Sequence, residues 1–179
     1  MNEDVNLNSA YKPLSAYFLA DYIIEKHAKS IGPIEKLKLQ KMLYYTQAYS
    51  LVNRGMPAFS DDIIAARRGP IVESVLNYYS AVCPGQKLIY EPVSELGFLA
   101  PENQALFKPV NIIPGFLLDI ADKVIEAYAS FTGEDISEKT HGEQPWMDAT
   151  DNGVRFGDKI TNESIKDFYA AHPQKILGC

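Results

Sequence analysis

The chain has little cysteine, an excess of acid over base and no long hydrophobic run. Two cysteines, Cys83 and Cys179, stand in no metal-ligand or redox spacing. Isolated thiols exclude a disulfide framework and point to a reducing, cytoplasmic setting. No run approaches the roughly 18 apolar residues of a membrane span, and the opening MNEDVNLNSAYK lacks the apolar stretch of a secretory leader. Lys and Arg total 17 against 23 Asp and Glu, for a net charge of −6. The whole-molecule field therefore repels nucleic acid and anionic membrane, and either partner would need a local basic patch. The sequence also lacks a phosphate-cradling glycine loop, paired metal-ligand spacing and a nucleophile elbow. These absences predict no cofactor, no metal and no enzyme built on a local motif.

What is present predicts a folded, mainly α protein. Hydrophobic residues make up 46% and charged residues 22% of 179, enough for one domain with a sizeable core. The reading is a compact single-domain helical fold over residues 14–172, with tails at 1–13 and 173–179. Residues 83–114, broken by repeated Pro and Gly, form a long irregular loop with room for a small β-hairpin at 87–90.

Residues 37–52, LKLQKMLYYTQAYSLV, contain no Gly or Pro and predict a central helix of about four turns. Its apolar residues exceed one stripe, so it is wrapped on several sides, with Lys38, Lys41, Gln40 and Gln47 left for one narrow wet edge. Ser15, Thr132 and Thr161 are N-caps of three further helices, and Gly55 fits the left-handed residue that ends the central one. Residues 63–66 read as a small strand or a helical turn. Gly69 and Pro70 fit the N-cap and first position of a helix running to about residue 80.

Several residues admit both a chemical and a structural reading. His141 beside Glu143 could serve as a base or ligand, or be a helix-end histidine held by backbone or carboxylate. Arg67 and Arg68 are either solvated turn residues or a local site for a partner's carboxylate or phosphate, which Lys36, Lys38 and Lys41 would extend. Trp146, the only tryptophan, suits core packing or an interface anchor. In Tyr44-Tyr45 and Tyr78-Tyr79, one ring of each pair should face inward and the other outward.

The ordered set LKLQKMLYYTQ, ARRGPIV and THGEQPW resembles the Panacea, or SocA-like antitoxin, family over roughly residues 14–170. The family pattern falls on Leu39, Gln40, Lys41, Leu43, Tyr44 and Tyr45, then Gly69, Pro70 and Val72, then His141, Pro145 and Trp146. Met42 and Ile71 depart from it with volume kept, and Ala66 stands where the family often has tryptophan. The resemblance implies an antitoxin of a bacterial or prophage toxin–antitoxin pair that neutralises a protein toxin by direct binding. One branch of the family hands its toxin to the ClpXP protease. On this reading the partner is a toxin encoded next door, and the contact residues are Arg67, Arg68, an exposed Tyr44 or Tyr45, and the 83–114 loop. Nucleic acid and membrane are not expected partners.

Overall fold

The second helix organises the molecule because its composition leaves it no other conformation. A computed structural model describes residues 11–83, 85, 87–88 and 112–178. In chain order these form α1 (Ala16–Ser30), β1 (Ile34–Glu35), α2 (Lys36–Arg54), β2 (Ile63–Ala66), β3 (Gly69–Val72), α3 (Glu73–Val82), β4 (Lys87–Leu88), α4 (Gly115–Ala127), α5 (Gly133–His141), α6 (Gln144–Thr150), β5 (Lys159–Ile160), α7 (Asn162–Ala171) and a 3-10 turn (Pro173–Lys175). The mainly α class holds. The tail at residues 1–10 and most of the 83–114 loop lie outside the described residues.

Local signals place the helix ends. The Ser15 hydroxyl accepts from the Tyr17 amide at 3.3 Å. Thr132 and Asp135 form a reciprocal capping box, and Thr161 accepts from the Ser164 amide at 3.1 Å. Gly55 ends α2 in the left-handed region at φ 70°. Helix α6 carries proline in its first turn, where the missing N–H breaks no helical bond.

Helix α2 packs against α5, α4, α7, β3 and α1. Leu39, Met42, Leu43 and Ala48 are fully enclosed in the resulting core. The expected wet edge does not exist: between residues 36 and 51 only Leu37 and Tyr49 are even half-buried rather than buried. Neighbours occupy all sides of the helix, and its polar residues are absorbed by backbone groups those neighbours supply. Lys36 donates to the Cys83 carbonyl at 2.5 Å, Lys38 to Ala129 at 3.0 Å and Lys41 to Pro70 at 2.9 Å. Gln47 accepts from the amides of Ala58 and Phe59 and donates to Asn162 at 2.9 Å. The three lysines therefore do not extend a surface basic patch.

Tyr44 and Tyr45 are 1% and 0% exposed, so neither points outward, and an exposed Tyr44 or Tyr45 as a contact residue is corrected. Adjacent residues on a helix differ by about 100° in direction, and here both directions are covered. Tyr44 meets Tyr169 edge-on at 6.0 Å between ring centres, while Tyr45 stacks on Tyr128 at 4.9 Å. The other pair does divide as expected, with Tyr79 buried and Tyr78 half-buried.

Two small sheets flank the helices. The larger has the order β3-β2-β5, all antiparallel. Residues 63–66 are thus a strand, and Gly69 and Pro70 begin β3 rather than α3, whose N-cap position is Val72. Proline's fixed φ suits an outer strand as well as a helix start, and β3 is an outer strand. In the smaller sheet Lys87–Leu88 pairs with Ile34–Glu35, 52 to 54 residues back, while the rest of the expected 87–90 hairpin lies outside the described residues. Near the other end, Ile176, in the segment set apart as a tail, is buried and its carbonyl accepts from Tyr128 at 2.7 Å. Among the described residues no helix is long and apolar enough to cross a membrane.

Candidate functional site

Arg67 and Arg68 occupy the two-residue tip between β2 and β3, whose register ends at Ala66 opposite Gly69. Gly69 is at φ +93°, a region where a side chain is strained. A Cβ added there would also lie 2.5 Å from Thr140 Oγ1 and 2.6 Å from Lys41 Nζ. Only glycine lets this turn settle onto α2 and α5.

Four side chains then clamp the backbone of the tip. Trp146 Nε1 donates to the Ala66 carbonyl at 2.9 Å, Ser137 to Arg68 at 2.6 Å and Lys41 to Pro70 at 2.9 Å, while Gln40 accepts from the Val72 amide at 2.7 Å. The family-pattern residues Gln40, Lys41, Gly69, Pro70 and Trp146 thus converge on one object. Leu39 and Leu43 lie beneath it in the core, and Pro145 opens the helix that carries Trp146. Gln40 serves the strand leaving the turn, and Lys41 serves the turn itself.

The clamp fixes backbone and leaves both guanidinium groups at the surface. Arg67 lies 5.0 Å over the ring of Phe156 and makes no ion pair among the described residues. Arg68 pairs with Glu134 in the first turn of α5, with both side chains more than half exposed. Beside them a groove of about 450 Å³ runs between the tip, the start of α2 and α3. Lys36, Leu37, Gln40, Ala66, Ile71, Leu76, Asn77, Ser80 and Gly85 complete its lining with the two arginines, and no carboxylate is among these residues. Lys36 donates to the Cys83 carbonyl, so among the described lining residues the exposed cations are the two arginines.

Beneath the tip Lys41 is fully buried, with no carboxylate partner among the described residues. Burial, reinforced by the Arg68 charge, lowers its pKa to about 7. His141, the last residue of α5, stacks on Trp146 at 4.3 Å between ring centres. Burial first and Lys41 second hold its imidazole below the ordinary histidine value, against a hydrogen bond with the Arg67 backbone, so it is neutral at pH 7.

Glu143 belongs to a different cluster, which sequence reasoning passes over. Its carboxylate is buried and accepts from Tyr45 at 2.9 Å, Tyr169 at 2.5 Å and Lys139 at 2.7 Å. Lys139 also donates to the Lys175 carbonyl at 2.6 Å, tying α5, α2, α7 and the 3-10 turn together. None of these bonds reaches His141, so the two do not form the suggested acid–base pair. The i,i+4 spacing of Lys139 and Glu143 was the available signal. Among the described residues no three His, Cys, Asp or Glu side chains gather as a metal site would require.

A rigid tip carrying two exposed guanidiniums above a groove with no carboxylate among its described lining residues suits a partner's acidic group. No curated protein and no solved structure matches the chain. The family model described as antitoxin SocA-like, Panacea domain matches residues 39–147, which take in most of α2, the arginine tip and the clamping residues Gln40, Lys41, Ser137 and Trp146. The chain belongs to the SocA-like antitoxin, Panacea domain family.

Proposed function

We propose that this protein neutralises a protein toxin by direct, stoichiometric binding, acting as a non-enzymatic module in the cytoplasm. Family membership over residues 39–147 supports the antitoxin-like role. The observation that carries the contact assignment is the arginine tip: backbone held at four points, both guanidinium groups at the surface, and a groove alongside whose described lining residues include no carboxylate. Such preorganisation lowers the ordering cost of binding, and Arg is a frequent anchor at protein interfaces. Arg67 and Arg68 engage carboxylates of the toxin, while Tyr44 and Tyr45 contribute only by shaping the core beneath.

The experiment is co-expression with the product of the adjacent gene. That product should arrest growth alone, be harmless with this protein, and co-purify with it in fixed ratio. A harmless neighbour, or toxicity unrelieved by this chain, overturns the reading. Toxin abundance in cells lacking ClpX separates inhibition from delivery to ClpXP: inhibition leaves the level unchanged, and delivery lets it rise.

A further inference from the structure

The loop between α6 and β5 holds apolar side chains in water by design of its backbone. Asp151, Asn152 and Gly153 adopt φ of 51°, 55° and 84° in succession, and Gly157 adopts 102°. Asn and Asp tolerate that region best among side-chain-bearing residues, and glycine is at home there. The loop is tied at both ends. The amides of Val154 and Arg155 each donate to the Thr150 carbonyl at 2.9 Å, and that of Gly157 donates to Ala65 at 2.9 Å. The Ala65 amide answers to Asp158 at 2.8 Å, so the loop is stitched to β2, the strand that leads into the arginine tip.

What this backbone displays is Val154, 76% exposed, and Phe156, 37% exposed. Among the described residues most other large apolar groups are enclosed, and holding a valine this far out adds nothing to stability. Phe156 rests near Trp146, with ring centres 6.4 Å apart, and carries Arg67 on its face. A guanidinium with no ion pair among the described residues, set over an exposed aromatic ring with an aliphatic group close by in the chain, is the composition of an interface hot spot. The ring also holds the planar guanidinium in place, which reduces the ordering cost of a carboxylate approaching it.

We propose that the 154–156 loop and Arg67 form one docking patch, continuous with the groove, for a protein segment that places an acidic side chain beside an apolar one. The carboxylate meets Arg67 and the apolar side chain covers Val154 and Phe156. This rests on the antitoxin reading, with the toxin as the protein that carries the segment. Charge complementarity selects the occupant: Arg155 is paired with Asp158 and Lys159 with Asp62, whereas Arg67 makes no ion pair among the described residues.

The test uses the full chain and the adjacent gene's product as probe, with V154D, F156A and Arg67→Lys. V154D changes a side chain already in solvent, so its melting temperature should stay near wild type. It should nevertheless weaken the complex about tenfold or more. F156A should do the same. Arg67→Lys, which keeps the charge and loses the planar stack, should weaken it several-fold. If the wild type neutralises the probe and all three variants bind it within about twofold, the patch is overturned and the antitoxin reading stands. If the wild type neither binds nor neutralises the probe, both fall. Sedimentation supplies a further outcome: a wild-type dimer that V154D converts to monomer assigns the patch to a second copy of this chain and overturns the proposal.

Discussion

Helix α2 and the β2–β3 tip are both rich in positive charge, yet they use it in opposite ways. Lys36, Lys38 and Lys41 turn inward, and each ends on a backbone carbonyl of another part of the chain. Arg67 and Arg68 turn outward from a backbone that Lys41 and its neighbours immobilise. The lysines are fasteners and the arginines are what is fastened. A flexible stem with a compact ammonium suits threading through a core to one acceptor, whereas a planar fork suits recognition of a carboxylate at the surface. Basic residues near one another in sequence therefore do not add up to a basic patch here.

The sharpest way to break the comparison is at the glycine where the two regions touch. Gly69→Ala puts a Cβ against Thr140 and Lys41 and forces a side chain into φ +93°. It should cost about 3 kcal/mol of stability, read from denaturant unfolding. A cost near zero would mean the tip is not seated on α2.

Next in size is the pH dependence set by Lys41. The folded chain releases this proton near pH 7, while the unfolded chain keeps it to near 10.5, the ordinary lysine value. Between those limits the unfolded state binds more protons, so stability rises with pH. The penalty for the buried charge is greatest below pH 7 and is relieved as the pH climbs. The contribution is on the order of 1 kcal/mol per pH unit across the window. Lys41→Met should lie within about 1 kcal/mol of wild type at pH 7, because the lost bond to Pro70 offsets the lost burial cost. The slope between pH 7 and 9 should flatten relative to wild type. An unchanged slope would show that Lys41 does not titrate in that range.

Much of this framework was legible in the residues. The caps at Ser15, Thr132 and Thr161 and the left-handed Gly55 act within a few residues, so a one-dimensional pattern contains them. The fate of the α2 lysines was not legible, because a charged residue on a helix reads as solvated until its neighbours are known, and the carbonyls they serve lie 29 to 91 residues away. Gly69-Pro70 misleads for a related reason: a positive-φ glycine followed by proline is compatible with a hairpin or a helix start, and long-range seating on Lys41 and Thr140 decides. The pairing of β1 with β4 rests on two-residue strands and leaves almost no periodic trace. At the candidate site the arginines stand out in sequence, while Phe156 and Val154 do not, since their exposure follows from left-handed loop residues.

The smallest expected effect lies on the arginine side. Arg68→Ala removes an ion pair with Glu134 that water surrounds. It should change stability by less than about 0.5 kcal/mol, measured by thermal or denaturant unfolding. A larger loss would make Arg68 a fastener like the lysines and erase the contrast.

We propose that the tip is held for a partner rather than for the fold. The most direct measurement is the affinity of the Arg67→Ala, Arg68→Ala double variant for the adjacent gene's product, with its unfolding midpoint measured alongside. The expected result is a midpoint close to wild type and a complex weakened about tenfold or more, with growth rescue lost. Unchanged affinity and rescue in a folded double variant would contradict it.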